Sequence, residues 1–372
     1  MKTNQLILAT AALVALAACT KETANLEVPE TEANEIGFNA VAQKATKAND
    51  AIITSATYGH DNTFKVWGWQ SEKGDFTDAT LTADAASNFM SGIVISWNDG
   101  HDHARSEAWR NASQYYYWPF TGAIGFLAVH PSTVAPSTTG WDATNKKAKA
   151  SFADYTISAS NKTTDLMLAY ASGSRRSDAL PLTFNHALSQ IEFQVKTQDD
   201  YTHDVKFDIN SVTINNIDLS GDMAYSYTTV PSFAWTDNAT QTESWEYYKT
   251  TLENVNKTAQ VYGAANVMIP QPAYADDPNT TDVVEGTTIT ISYSMQQKPL
   301  DSNAKITGTI TVAAPWTKVK EGTSEHNPAV AFSGWEAGKK YVYTLNFNLY
   351  EILFDPTVTD WITVEVNPIN IP

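Results

Sequence analysis

Residues that could do chemistry are few and scattered in this 372-residue chain. The tightest cluster is His101-Asp102-His103. Two imidazoles one residue apart can share a metal ion, but no third ligand stands near them, and the preceding Asn98-Asp99-Gly100 is turn chemistry. His186, in Phe184-Asn185-His186-Ala187-Leu188, reads as a structural histidine at a strand end. There is no Gly-rich phosphate loop, no G-x-S-x-G elbow and no zinc spacing. Carboxylates are plentiful, at 41 Asp and Glu, and a glycan hydrolase could hide a pair among them, but only geometry singles such a pair out. The expectation is therefore no enzyme, no metal and no cofactor. Binding chemistry has one candidate set, the aromatics Trp67, Trp69, Tyr115, Tyr116, Tyr117 and Trp118, which could stack on sugar rings. Alternation within strands makes core packing the expected role for most of them.

The one cysteine, Cys19, has no partner for an internal disulfide, so stability must come from core burial. Its context is more telling than its thiol. A short positive start, Met1-Lys2, precedes an apolar run from Leu6 to Ala18. That run is too short to span a membrane and suits a signal-peptide core. It ends Leu16-Ala17-Ala18-Cys19, which looks like a lipobox. Residues 1–18 are then a lipoprotein signal peptide, and Cys19 becomes the acylated first mature residue. No second long apolar run follows, so the mature chain is expected to be anchored by acyl chains rather than to span.

Composition narrows the rest. Hydrophobic residues are 42%, aromatics 11% and charged residues 17%, which suits a β-rich exported protein with a substantial core. The net charge of −17 and only four Arg exclude a basic face for nucleic acid.

Residues 19–34 read as a polar tether. Glu35-Ile36-Gly37-Phe38-Asn39-Ala40-Val41 then alternates, with Ile36, Phe38 and Ala40 on one face. A polar loop with Lys44 and Lys47 follows. Short apolar or alternating segments between turn residues fill the remainder, including Phe64–Trp69, Ile124–Val129, Asp165–Tyr170, Leu182–Phe184, Ile191–Val195, Val212–Ile214, Val267–Ile269, Thr288–Tyr293, Ile306–Val312, Tyr341–Phe347 and Trp361–Val366. This spacing predicts an all-β chain of sandwiches with only short helices, for example at Asp154–Ser160 or His186–Ser189. The polar loop Ala171–Asp178 offers a boundary between an N-terminal domain, 35–177, and a C-terminal domain, 178–372.

Two segments carry a resemblance. Asp165–Gly173, "DLMLAYASG", followed by Leu180–Val195, "LPLTFNHALSQIEFQV", resembles the hallmark of Bacteroidales fimbrillins, the type V pilins. The lipobox, "EIGFNAV", "KVWGW", "GKKYVYTLNF" and "TDWITVEV" fit the same pattern. The resemblance implies two transthyretin-like β-sandwich domains in tandem, and a fimbrial subunit exported as a lipoprotein to the outer membrane. It further implies that a surface protease removes the first strand, here within residues 35–47. Ile36, Phe38 and Ala40 would be displaced. The vacated groove would accept a C-terminal strand from another, identical or related subunit, building a pilus that supports adhesion to a host or microbial ligand. Donor candidates in the C-terminal region are Ile362, Val364, Val366 and Ile369. The family's proteases often cut after Arg. The first Arg here is Arg105, so the expected processing sites are Lys47 and Lys44. A tip adhesin or glycan-binding surface lipoprotein is the alternative.

Overall fold

The computed structural model describes residues 34–42, 58–71, 87–99, 107–142, 144–202, 205–237, 243–272, 287–298, 305–313, 334–348 and 352–360, the last as backbone alone. Cys19, Lys44, Lys47, His101–His103, Ile362, Val364, Val366 and Ile369 lie outside these residues. The architecture is all-β. In chain order the strands are β1 (Phe38–Ala42), β2 (Phe64–Ser71), β3 (Ser87–Asn98), β4 (Ala108–Arg110), β5 (Ala123–His130), β6 (Thr138–Asp142), β7 (Lys147–Thr156), β8 (Met167–Ser174), β9 (Leu180–His186) and β10 (Ser189–Thr197). They continue with β11 (Val205–Ile217), β12 (Ser220–Tyr227), β13 (Pro231–Asp237), β14 (Glu243–Tyr248), β15 (Gln260–Val261), β16 (Asn266–Met268), β17 (Gln271–Pro272), β18 (Thr288–Gln297), β19 (Lys305–Ala313), β20 (Gly334–Trp335), β21 (Lys339–Phe347) and β22 (Ile352–Asp360).

Seven strands, ordered β1-β4-β3-β2-β5-β8-β9, close into a barrel. Its interior is lined by Phe38, Phe64, Val66, Ile95, Ile124, Phe126, Leu182 and Phe184, all essentially inaccessible. Strand β5, AIGFLAVH, is buried at every position. The reason is that both its faces are covered: Ile124, Phe126 and Ala128 point into the barrel, while Leu127 and Val129 belong to a second core with Trp141 and Phe152. A strand covered on both sides reads as a continuous apolar run rather than an alternation.

The second core lies among the sheets β13-β12-β7-β6, β14-β11-β18-β19 and β15-β10-β21-β22. Strand β10 pairs in parallel with β21, from Gln190↔Lys340 to Thr197↔Phe347. This repeats the parallel pairing of β1 with β9 in the barrel.

The polar loop at 171–178 does not separate two sheets. It contains the end of β8 and the connection to β9, held by an exposed Arg176–Asp178 ion pair at 2.6 Å. Strand β9, on the C-terminal side of 177/178, pairs with β1 and β8 in the barrel. The sheet β13-β12-β7-β6 likewise joins strands from both sides of that division. The composition that resembles a linker is that of an ordinary strand connection.

Neither expected helix forms. Asp154–Ser160 is divided between the end of β7 and a turn in which Asn161 accepts from the Ser158 amide at 2.7 Å and donates to the Thr156 carbonyl at 2.9 Å. Such side-chain bonds to nearby backbone compete directly with helical ones. His186–Ser189 is the short passage from β9 to β10.

Candidate functional site

The seat of β1 is the site that the sequence singled out. Its alternation is realised: Ile36, Phe38, Ala40 and Ala42 are 3%, 0%, 4% and 2% exposed, while Asn39 faces outward. Phe38 meets Phe126 edge-on at 5.2 Å and Phe64 at 6.1 Å. On one side β1 runs parallel to β9 through Phe38↔Leu180, Asn39↔Pro181, Ala40↔Leu182, Val41↔Thr183 and Ala42↔Phe184. On the other it pairs antiparallel with β4 at Phe38↔Trp109 alone. Five residues, one flank parallel and one flank short, make a weak ladder. Yet this strand completes the closure, so removing it opens a seam between β4 and β9.

The chain just before β1 is fixed more firmly. The Ile36 amide donates to the Tyr116 carbonyl at 2.7 Å, the Trp118 amide to the Asn34 carbonyl at 2.8 Å, and the Leu180 amide to the Gly37 carbonyl at 2.8 Å. Arg175 Nε donates to Asn34 Oδ1 at 2.7 Å. Arg110 Nη1 donates to Glu35 Oε2 at 2.7 Å, with side chains only 6% and 3% exposed. Gly37 lies beneath this pair. A Cβ there would stand 3.0 Å from the Ala108 Cβ and 3.1 Å from the Arg110 guanidinium, so the close approach itself calls for glycine.

Arg110 and Ala42 belong to the seat and were not expected from the sequence. Four Arg in an acidic chain is a faint signal, since nothing local in Ala108-Trp109-Arg110 announces a partner 75 residues away. Of the aromatic candidates, Trp67, Trp69 and Trp118 are buried, and Tyr116 is half-buried. Tyr115 and Tyr117 are exposed, with rings parallel to within 10° at 6.4 Å. Core packing thus claims the three tryptophans.

Below the seat, the buried His130 ring is close to Tyr58 and Phe184, and its Nδ1 lies 3.1 Å from the Thr63 carbonyl. Burial lowers its pKa from the ordinary histidine value; Asp165 and the Thr63 bond act the other way, and His186 adds to the lowering. A lowered folded value means the unfolded chain takes the proton more readily. This contribution to stability is complete above the ordinary histidine range, about 6.5, and is lost as pH falls below it. The urea midpoint is expected to drop between pH 7.5 and pH 5.5, and the drop to shrink in His130→Gln.

The profile of the fimbrillin-like family matches residues 46–361. The chain belongs to the fimbrillin-like family. Among solved structures, a fimbrial protein from Bacteroides vulgatus ATCC 8482 aligns with a TM-score of 0.55 at 16% identity, covering 88% of this chain and 99% of that one. A putative cell adhesion protein from Bacteroides ovatus ATCC 8483 aligns at 0.48 and 16% identity, covering 89% and 99%. The tip fimbrial protein Mfa3 from Porphyromonas gingivalis aligns at 0.31 and 8%, covering 81% and 94%. No curated protein matches the sequence. This fimbrillin-like chain shares its fold with the first of these structures along nearly the whole of that molecule.

Proposed function

We propose that this fimbrillin-like chain is a non-enzymatic structural subunit of a cell-surface fimbria. It is exported as a lipoprotein on Cys19 and held at the outer membrane until a surface protease cuts after Lys47 or Lys44. The cut releases the lipid together with β1. A C-terminal strand of another subunit, drawn from the region of Ile362, Val364, Val366 and Ile369, then fills the seam between β4 and β9. The observation that carries this reading is that the five-residue β1 closes the barrel while presenting Phe38, fully buried, to its core. An empty seam would expose apolar side chains and two unpaired strand edges, and a replacement strand restores both. Because the donor and acceptor surfaces differ, the contact is head-to-tail and propagates.

Mass spectrometry of the surface form decides the processing step. A chain beginning at Ala48 or Ala45 is expected. An intact acylated Cys19 on assembled protein overturns it. Protein trimmed after Lys47 should run as an SDS-resistant ladder, and trimmed protein that stays monomeric overturns the stalk role.

A second reading, a tip adhesin or glycan-binding lipoprotein, is favoured by one observation, the exposed parallel rings of Tyr115 and Tyr117. Glycan-array binding that Tyr117→Ala abolishes would establish it.

A further inference from the structure

We infer that Arg110 selects and registers the incoming strand by pairing with Glu365 of a second copy of this chain. The inference rests on the strand-exchange reading above and adds the register and the residue that reads it.

The seat makes two demands besides an apolar alternation. The buried Arg110 guanidinium holds a carboxylate one residue before the first core-facing side chain, Ile36. A trimmed subunit retains Arg110 and loses Glu35. Any occupant that brings no acid to this point breaks the buried Arg110–Glu35 pair without replacing its carboxylate, which is disfavoured. At Gly37 the occupant must also avoid placing a Cβ against Ala108 and Arg110.

The chain's own C-terminus meets both demands. Beyond β22 it continues for twelve residues, Trp361–Pro372. Extended, these reach roughly 40 Å, more than the nine residues from Asn34 to Ala42 occupy. The native occupant reads Glu35-Ile36-Gly37-Phe38-Asn39-Ala40, and the tail reads Glu365-Val366-Asn367-Pro368-Ile369-Asn370-Ile371. The two align when Asn367-Pro368 together take the place of Gly37. Glu365 then replaces Glu35, Val366 replaces Ile36, Ile369 replaces Phe38, Asn370 replaces Asn39 and Ile371 replaces Ala40. Two residues opposite one is a β-bulge, and a bulge is where a strand tolerates proline, which has no N–H to donate. The bulge lifts the chain at the point where no Cβ fits. Val, Ile and Ile carry nearly as many side-chain carbons as Ile, Phe and Ala, and cores tolerate such volume-conserving exchange.

The unbulged register places Ile362, Val364 and Val366 at the three core positions. It sets Trp361 beside Arg110 and no acid there. Charge therefore favours the bulged register, with Val366 and Ile369 as true insertion residues and Ile362 and Val364 leading up to the groove.

Register-specific cross-linking tests this on assembled fimbriae of the full processed chain. In the bulged register Asn370 lies beside Pro181, the outward-facing partner of Asn39. In the unbulged one Glu365 does. Cys19 is the only native cysteine and leaves with the lipid. Asn370→Cys with Pro181→Cys is expected to give disulfide-linked ladders, and Glu365→Cys with Pro181→Cys is not. The reverse result overturns the register while leaving strand exchange standing. Cross-links confined to monomers overturn the intersubunit pairing. Ladders that survive deletion of 361–372 overturn strand exchange itself. Glu365→Lys should slow assembly of trimmed protein at least tenfold; assembly at the wild-type rate overturns the role of Arg110.

Discussion

Phe38→Ala is expected to destabilise the uncut chain by about 3–5 kcal/mol, the usual range for truncating a buried phenylalanine, and to leave the assembled, trimmed form unchanged. The first half follows from position. Phe38 is completely buried, it is the largest side chain that β1 contributes to the barrel, and it touches Phe64 and Phe126 edge-on. The cavity left by alanine cannot collapse easily, because the chain just before Phe38 is pinned by the bonds of Ile36 and Gly37 to Tyr116 and Leu180 and by the Glu35–Arg110 pair. The loss should appear as a lower urea midpoint at unchanged slope. The second half follows from the proposed function. A residue that leaves with the cut strand cannot weaken a polymer from which it is absent. Thermal dissociation of Phe38→Ala ladders should match wild type. If those ladders melt earlier, β1 remains in the fibre and strand removal is wrong. The variant should also be trimmed faster, since a protease reaches the chain more readily when the strand opens more often.

Much of this arrangement is legible in the sequence, for local reasons. Period-two alternation marks β1, β9 and β18, and a continuous apolar run marks β5; those patterns depend on neighbours along the chain. Ile36, Phe38 and Ala40 point where their spacing says they should. What sequence does not reveal is non-local. Strand β12, SGDMAYSY, buries Gly221, Met223 and Tyr225, but its small and polar residues hide the alternation. That β1 lies between β4 and β9 depends on residues 71 and 142 positions away. Glu35 reads only as the polar first residue of an alternating segment, and its burial becomes sensible only once Arg110 stands beside it. The 171–178 stretch shows the converse error, since a strand connection and a domain linker share the same composition.

His186→Ala is expected to cost about 3–5 kcal/mol, the range for leaving one member of a buried pair behind. Asp165 Oδ2 lies 2.5 Å from His186 Nδ1, and both side chains are almost wholly inaccessible, at 4% and 0%. Removing the imidazole leaves a buried carboxylate without this donor. Asp165→Ala leaves an imidazole without its acceptor, and the expected loss is that of an unsatisfied buried hydrogen-bonding group, about 1–3 kcal/mol. Location gives the pair its importance. Phe184, His186 and Leu188 are spaced by two along one short stretch, yet Phe184 lies in the barrel core and Leu188 in the second core. Between them His186 is fastened to Asp165, which just precedes β8, while the Ala187 amide donates to the Leu166 carbonyl at 2.8 Å. The passage is held from the other side as well, by Trp235 Nε1 on the Ala187 carbonyl and Ser189 Oγ on the Met268 carbonyl. The F-x-H-x-L segment is therefore the joint at which the chain leaves one core and enters the other, and the histidine fixes its direction. Asp165→Leu combined with His186→Leu should recover part of the single-variant loss, because a buried pair exchanged for apolar side chains is often close to neutral. A double-mutant cycle by urea unfolding measures the coupling. If each single variant loses under about 1 kcal/mol, the pair does not hold the joint.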